Sequence, residues 1–190
     1  MKEILPKLKI VISGAAVTEH CSENIHELAY NVGKRIAELG LITVTGATTG
    51  VPLWAAKGAF ENGGFVLGLS PARSLKEHIN VYRLPIDYHH LIIYTGEGYS
   101  GRNLLLTRTG DGIIFICGRM GTLNEFTNAF EEEKIMGVLV GSGGTEKLFN
   151  EILEEAKRGK GKIIWEKDPI NLVDKLVEYI KKELEDVSII

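Results

Sequence analysis

The chain has no glutamine, only two cysteines among its 190 residues, and no apolar run near the roughly 20 residues that span a bilayer. Each absence excludes something. Cys21 and Cys117 form no CxxC pair and no zinc-type spacing, so neither a disulfide framework nor a structural metal site is expected; both read as small buried hydrophobes. Neither sign of charge dominates. Lys plus Arg is 22 against 25 Asp plus Glu, a net charge of −3, which gives no electrostatic reason for DNA, RNA or an anionic membrane as main partner. Of the histidines, His20, His26 and His78 have no partner at ligand spacing, and the adjacent His89 and His90 would face opposite sides of a strand, so no metal is expected. Met1 runs into a strand-like segment without a signal peptide, which implies a soluble, cytoplasmic protein. The lack of glutamine beside plentiful Glu and Lys is a composition of the heat-adapted kind.

What is present is an ordinary globular composition, 44% hydrophobic and 25% charged, of a length that fits one domain over residues 1–190. Short β-branched runs end at glycines and alternate with segments of helical spacing. Leu8–Ser13, Leu41–Thr45, Phe65–Leu69, Leu91–Thr95, Gly112–Cys117, Gly137–Val140 and Lys162–Trp165 read as strands. Glu23–Leu39, Gly50–Glu61, Ser100–Thr107, Thr122–Glu133, Glu146–Arg158 and Leu172–Leu184 read as helices, with a long irregular connection over Ser70–His90. Several strands are continuously apolar, as in parallel strands covered on both faces. The expected fold is α/β: a doubly wound, mainly parallel, Rossmann-like sheet of about seven strands with helices on both faces.

In such a sheet ligands bind beyond the carboxyl ends of the strands, near the switch in strand order. The residues to examine are therefore Ser13-Gly14-Ala15-Ala16, Gly46-Ala-Thr48-Thr49-Gly50, Thr95-Gly-Glu97-Gly98, Gly118-Arg119-Met120-Gly121-Thr122 and Gly141 to Thr145. A glycine loop opening into a helix offers backbone N–H groups and a positive dipole end to a phosphate; it also serves simply as a tight strand-to-helix turn. No GxGxxG follows the first strand, the second ends in Thr45-Gly46 instead of an acidic residue, and GxxxxGK[ST] is absent. A conventional NAD dehydrogenase or P-loop NTPase is not expected on that pattern.

Gly118 to Glu125 adds charge to the loop. Glu125 reads either as a carboxylate beside an anion site or as one half of a Thr122-x-x-Glu125 capping box. Arg102 could grip a phosphate or carboxylate bidentately, or could be a solvated surface arginine. Arg119 could add a second cation or point to solvent.

Cys117-Gly-Arg-Met-Gly-Thr-Leu-Asn-Glu125 resembles the PGGxGTxxE signature of the LOG family, the so-called lysine decarboxylase-like proteins. Arg102 precedes Cys117 by fifteen positions, as the family's arginine precedes its signature. Gly46 to Val51, Ala55 to Ala59 and Gly63 to Pro71 are similar to the family's glycine loop, helix and third strand, so the resemblance spans about residues 8–165.

That resemblance implies a nucleotide-binding protein: a phosphoribohydrolase cleaving a nucleoside 5′-monophosphate at its N-glycosidic bond to free base and ribose 5-phosphate, without metal or redox cofactor. Glu125 and Arg102 would be the catalytic pair. Gly118, Gly121 and Thr122 would hold the phosphate, with Arg119 and Asn103 beside them. Ser13, Gly14 and Gly46 would lie at the strand ends, and Thr48, Thr49 and Gly50 would form the facing wall. The superfamily also implies an alternative, a non-catalytic nucleotide or molybdenum-cofactor (pterin) carrier or sensor using the same cleft, and a homodimer or larger homo-oligomer. Cys117 replaces the signature's proline, Arg119 its second glycine, and Asn103 stands where plant-type members carry lysine. These departures set the chain apart from the cytokinin-activating branch.

Overall fold

A computed structural model describes residues 6–185. The leader-free reading of Met1 concerns residues 1–5 and lies outside them. Strands β1 (Lys9–Gly14), β2 (Ile42–Thr45), β3 (Phe65–Ser70), β4 (Leu91–Tyr94), β5 (Gly112–Ile116), β6 (Ile135–Leu139) and β7 (Lys162–Glu166) form one sheet in the order β4-β3-β2-β1-β5-β6-β7. Every pairing is parallel. The chain winds outward from β1 to one edge, returns to β5 beside β1, and winds to the other edge. The strand order therefore reverses between β1 and β5, which opens a crevice beyond their carboxyl ends.

Alternation along each strand sends side chains to two cores. Ile10, Ile12, Ile114 and Ile116 pack under helices α1 (Ile25–Glu38), α2 (Val51–Glu61) and α7 (Pro169–Glu185). Val11, Ile113 and Phe115 pack on the opposite face under α4 (Gly98–Thr109), α5 (Met120–Glu131) and α6 (Phe149–Ala156). There Phe126 stacks on Phe149 at 3.9 Å and Phe115 meets both edge-on, the latter being the T-shaped arrangement that ring quadrupoles favour. Helices α1 and α2 cross closely because Gly33 lies against the Ala55 carbonyl and Gly58 against that of Tyr30.

Three expectations need correction. The connection expected to be irregular over Ser70–His90 contains helix α3 (Leu75–Asn80), capped by the Ser74 side chain accepting from the Glu77 N–H. The helix expected at Glu146 begins as a 3₁₀ turn, Gly144–Leu148, before α6. Cys21 and Cys117 are not separate hydrophobes. They form a disulfide across 96 residues of sequence, with their Cα atoms 5.8 Å apart. Sequence spacing gave no sign of it because the sheet, rather than a local motif, brings the loops after β1 and β5 together.

Candidate functional site

The crevice at the β1–β5 switch holds a cleft of about 400 Å³. Its floor starts at Ser13, the next-to-last residue of β1. Because Ile10 and Ile12 face α1, Ser13 points to the opposite face, toward α5, and its Oγ donates to Glu125 Oε2. Arg102, on the second turn of α4, reaches across with Nη1 3.4 Å from Glu125 Oε1. Asn103 is satisfied when its amide nitrogen faces the Tyr99 carbonyl (2.9 Å) and Glu125 Oε1 (2.8 Å). Three donors therefore converge on one carboxylate.

Both members of the ion pair are withdrawn from water: Glu125 is 7% exposed and Arg102 5%. The surface-arginine alternative for Arg102 does not hold. Burial pushes Glu125 above the usual carboxylate range, against the opposing pull of the Arg102 charge and the Ser13 hydrogen bond. Burial likewise lowers Arg102, with Glu125 opposing. Arg102 Nε is buried and has no hydrogen-bond partner among the described residues. The guanidinium lies against Gly46, where a β-carbon would come within 2.1 Å of Nη1.

The capping-box alternative for Glu125 also fails. Helix α5 begins at Met120 with Arg119 as its N-cap, so Glu125 lies in the second turn and faces the sheet. The first-turn N–H groups of Met120, Gly121 and Thr122 are the unpaired donors of a helix start, beside the cleft and at the positive end of the helix dipole.

Of the residues singled out from sequence, Ser13, Gly14, Gly46, Thr48, Arg102, Asn103, Arg119, Gly121, Thr122 and Glu125 line the cleft. Thr49, Gly50 and Gly118 do not. Thr49 Oγ1 turns away to the Ala16 carbonyl, Gly50 forms the N-cap of α2, and the Gly118 carbonyl accepts from the Thr145 N–H and faces His20 Nε2. Glu97 is exposed and not among the lining residues, so Glu125 is the cleft's carboxylate among the described residues. Ala15, Ala16 and Met120, which belong to the loops singled out from sequence, also line the cleft, whereas sequence reasoning missed Val17, Pro52 and Tyr99. Tyr99 adjoins residues already singled out, and helical geometry would have placed it on the rim.

The remaining histidines have separate duties. His78 bridges Ser70 and the Pro85 carbonyl, His89 meets Thr45 Oγ1 at 2.7 Å, and His90 Nδ1 accepts from the Val66 N–H. No helix among the described residues is long and apolar enough to cross a membrane.

An uncharacterized protein of Archaeoglobus fulgidus is 32% identical over 127 residues, which cover 67% of this chain and 78% of that protein. The X-ray structure of TM1055, a structural genomics target, superposes with a TM-score of 0.76 at 22% identity, covering 90% of this chain and 99% of that one. The molybdenum cofactor binding protein of Rippkaea orientalis superposes with a TM-score of 0.73 at 25% identity, covering 95% and 99%. A family model described as LDcluster4, the SLOG cluster4 family, matches residues 7–173. The chain therefore belongs to the SLOG cluster4 family.

Proposed function

We propose that the cleft binds a nucleoside 5′-monophosphate and hydrolyses its N-glycosidic bond. The observation that carries this reading is Glu125: a buried carboxylate, held by Ser13 and Arg102, next to the anion-attracting start of α5. The phosphate sits at the first turn of α5, where Gly121 and Thr122 offer N–H groups and Arg119 stands at the rim as a further cation. Thr48 supplies a hydroxyl from the facing wall. The sugar then lies over Glu125, and the planar base meets the apolar lining of Val17, Tyr99 and Met120.

In the reaction a water oxygen bonds to C1′ while the C1′–N bond breaks and positive charge develops on the sugar ring. Glu125 stabilises that charge and takes the proton released by the attacking water. With no second carboxylate lining the cleft among the described residues, the same group returns the proton to the departing base, and its raised pKa suits both transfers. Arg102 keeps Glu125 in position. The products are free base and ribose 5-phosphate, and atoms balance with one water consumed.

A second reading has support of its own. A cleft with one carboxylate, in a chain 25% identical to a molybdenum cofactor binding protein, also fits a carrier that retains a nucleotide or pterin without cleaving it. Chromatography of nucleoside monophosphates incubated with wild type and Glu125→Gln separates the two. Base released by wild type alone supports hydrolysis. Tight binding with no base released by either protein supports the carrier. We further propose a cytoplasmic homo-oligomer.

A further inference from the structure

We propose that Cys21, Cys117 and His20 form a thiol–disulfide exchange site, opened by a dithiol reductant, that controls how firmly the two walls of the cleft are joined. The disulfide links the loop after β1, whose Ala15, Ala16 and Val17 line one wall, to the loop after β5, which leads through Arg119 into the first turn of α5 on the other. Cys117 stands two residues before the α5 N-cap.

The three groups are arranged for directional exchange. Cys117 is fully buried, Cys21 is partly open to solvent, and His20 is exposed. An incoming thiolate therefore reaches the Cys21 sulfur, which makes Cys117 the leaving group. His20 Nε2 lies 3.6 Å from Cys117 Sγ, where it can protonate or ion-pair with the departing thiolate. Each atom is accounted for. One thiolate of the reductant bonds to Cys21 Sγ, the Cys21–Cys117 bond breaks, and Cys117 leaves with the electron pair and takes a proton from His20. The second thiol of the reductant then displaces Cys21, leaving two protein thiols and an oxidised dithiol.

The surroundings allow the bond to re-form. Cys21 pairs as an isolated β-bridge with Gly143, the Ser22 N–H donates to the Ser142 carbonyl, and the Cys117 N–H donates to Ser142 Oγ at 2.7 Å. The loop after β6 thus keeps both cysteines within reach when the bond is open. His20, Cys21 and Cys117 also bring three potential metal-ligand atoms within 4.8 Å. The two sulfurs are bonded to each other, so exchange, rather than metal binding, is the chemistry available in this state.

The test uses the full chain purified without reductant. Thiols are counted after rapid acid quenching as dithiothreitol is added, and hydrogen exchange is followed in peptides covering residues 15–24 and 117–123. The expected result is no free thiol at the start, two per chain after reduction, and severalfold faster exchange in both peptides. His20→Ala and His20→Gln should each slow reduction by about tenfold, because neither side chain can protonate the leaving thiolate. Glutamine can still donate to the Gly118 carbonyl, so restoration of the rate by His20→Gln alone would reduce His20 to a structural prop and overturn its assigned role. Free thiols in the untreated protein, or loop exchange unchanged by reduction, would overturn the proposal. Because reduced wild type is itself the open form, the result does not depend on whether a cysteine variant folds.

Discussion

Arg102 Nη1 stands 3.4 Å from Glu125 Oε1, with 6% and 9% of the two side chains exposed. A buried pair of this kind is costly to break one-sidedly, because the remaining charge has neither water nor a counter-ion. Arg102→Met should therefore lose on the order of 3–5 kcal/mol at neutral pH. Adding Glu125→Gln in the same chain should recover most of that loss by removing the stranded charge. Urea unfolding of the two single variants and the double variant provides the check; additive losses would mean that the pair does not act as a unit.

Glu125 also sets a pH dependence. Burial raises its folded pKa above the ordinary carboxylate value, so the folded state holds the proton more tightly than the unfolded chain. The contribution from this group is complete below the unfolded pKa and declines as pH rises toward the folded one. Glu125→Gln should flatten that part of the stability–pH curve, while wild type loses stability from about pH 4.5 upward. Denaturant midpoints at half-unit pH steps would show it. Equal slopes in both proteins would count against a raised pKa.

Gly46 is positioned to affect the site through the Arg102 side chain. A β-carbon there would come within 2.1 Å of Arg102 Nη1, so Gly46→Ala must displace the guanidinium. The guanidinium is buried and paired with Glu125, so stability should fall by about 1–3 kcal/mol, less than removing the arginine outright. Ligand affinity or turnover should fall by about tenfold or more, since a misplaced positioning group is felt strongly at a reacting centre. Calorimetric binding of nucleoside monophosphates beside a melting curve checks both halves.

Fold and site differ in how far the sequence reveals them. The strands were legible because each is a short apolar run ending at a glycine, and the sheet follows from their alternation with helices. Helix α3 was hidden because six residues with the pattern Leu-Lys-Glu-His-Ile-Asn carry too little periodicity, and Ser74 is a cap only once the helix is known. At the site, Arg102, Glu125 and the glycine loops could be picked out by spacing. The hydrogen bond from Ser13 to Glu125 spans 112 positions and depends on strand β1 lying beside β5. The failure of the Thr122–Glu125 capping box turned on a helix start at Met120 in place of Thr122. Such a two-residue shift carries Glu125 from a cap to the floor of the cleft. The disulfide was misread for the same reason as the serine contact, since no local pattern encodes a meeting of two loops.

The α1–α2 crossing offers a separate test of packing. A β-carbon on Gly33 would fall 1.9 Å from the Ala55 carbonyl oxygen, which belongs to helix backbone and cannot swing aside. Alanine in a helix interior normally gains up to about 1 kcal/mol over glycine. Here overpacking should reverse the sign, and Gly33→Ala should destabilise by about 1–3 kcal/mol. Thermal unfolding decides: a higher melting temperature for the variant would mean that the helices are not in contact at this point.

The disulfide should be the largest single covalent contribution to stability. By the chain-entropy account, closing a loop of 96 residues removes unfolded-state freedom equivalent to on the order of 4–5 kcal/mol. For a domain of this size, that corresponds to a melting temperature on the order of 10 °C lower after reduction. The Cys21→Ser, Cys117→Ser double variant should melt at the lower temperature with or without reductant, because its unfolded chain is unrestrained in both cases. Scanning calorimetry of both proteins in oxidising and reducing buffer separates the effect of the bond from any general effect of the reductant. A wild-type melting temperature that does not change on reduction would mean either that the bond is not formed or that the unfolded chain is as restricted without the bond as with it. Thiol counting on the same samples tells those two cases apart.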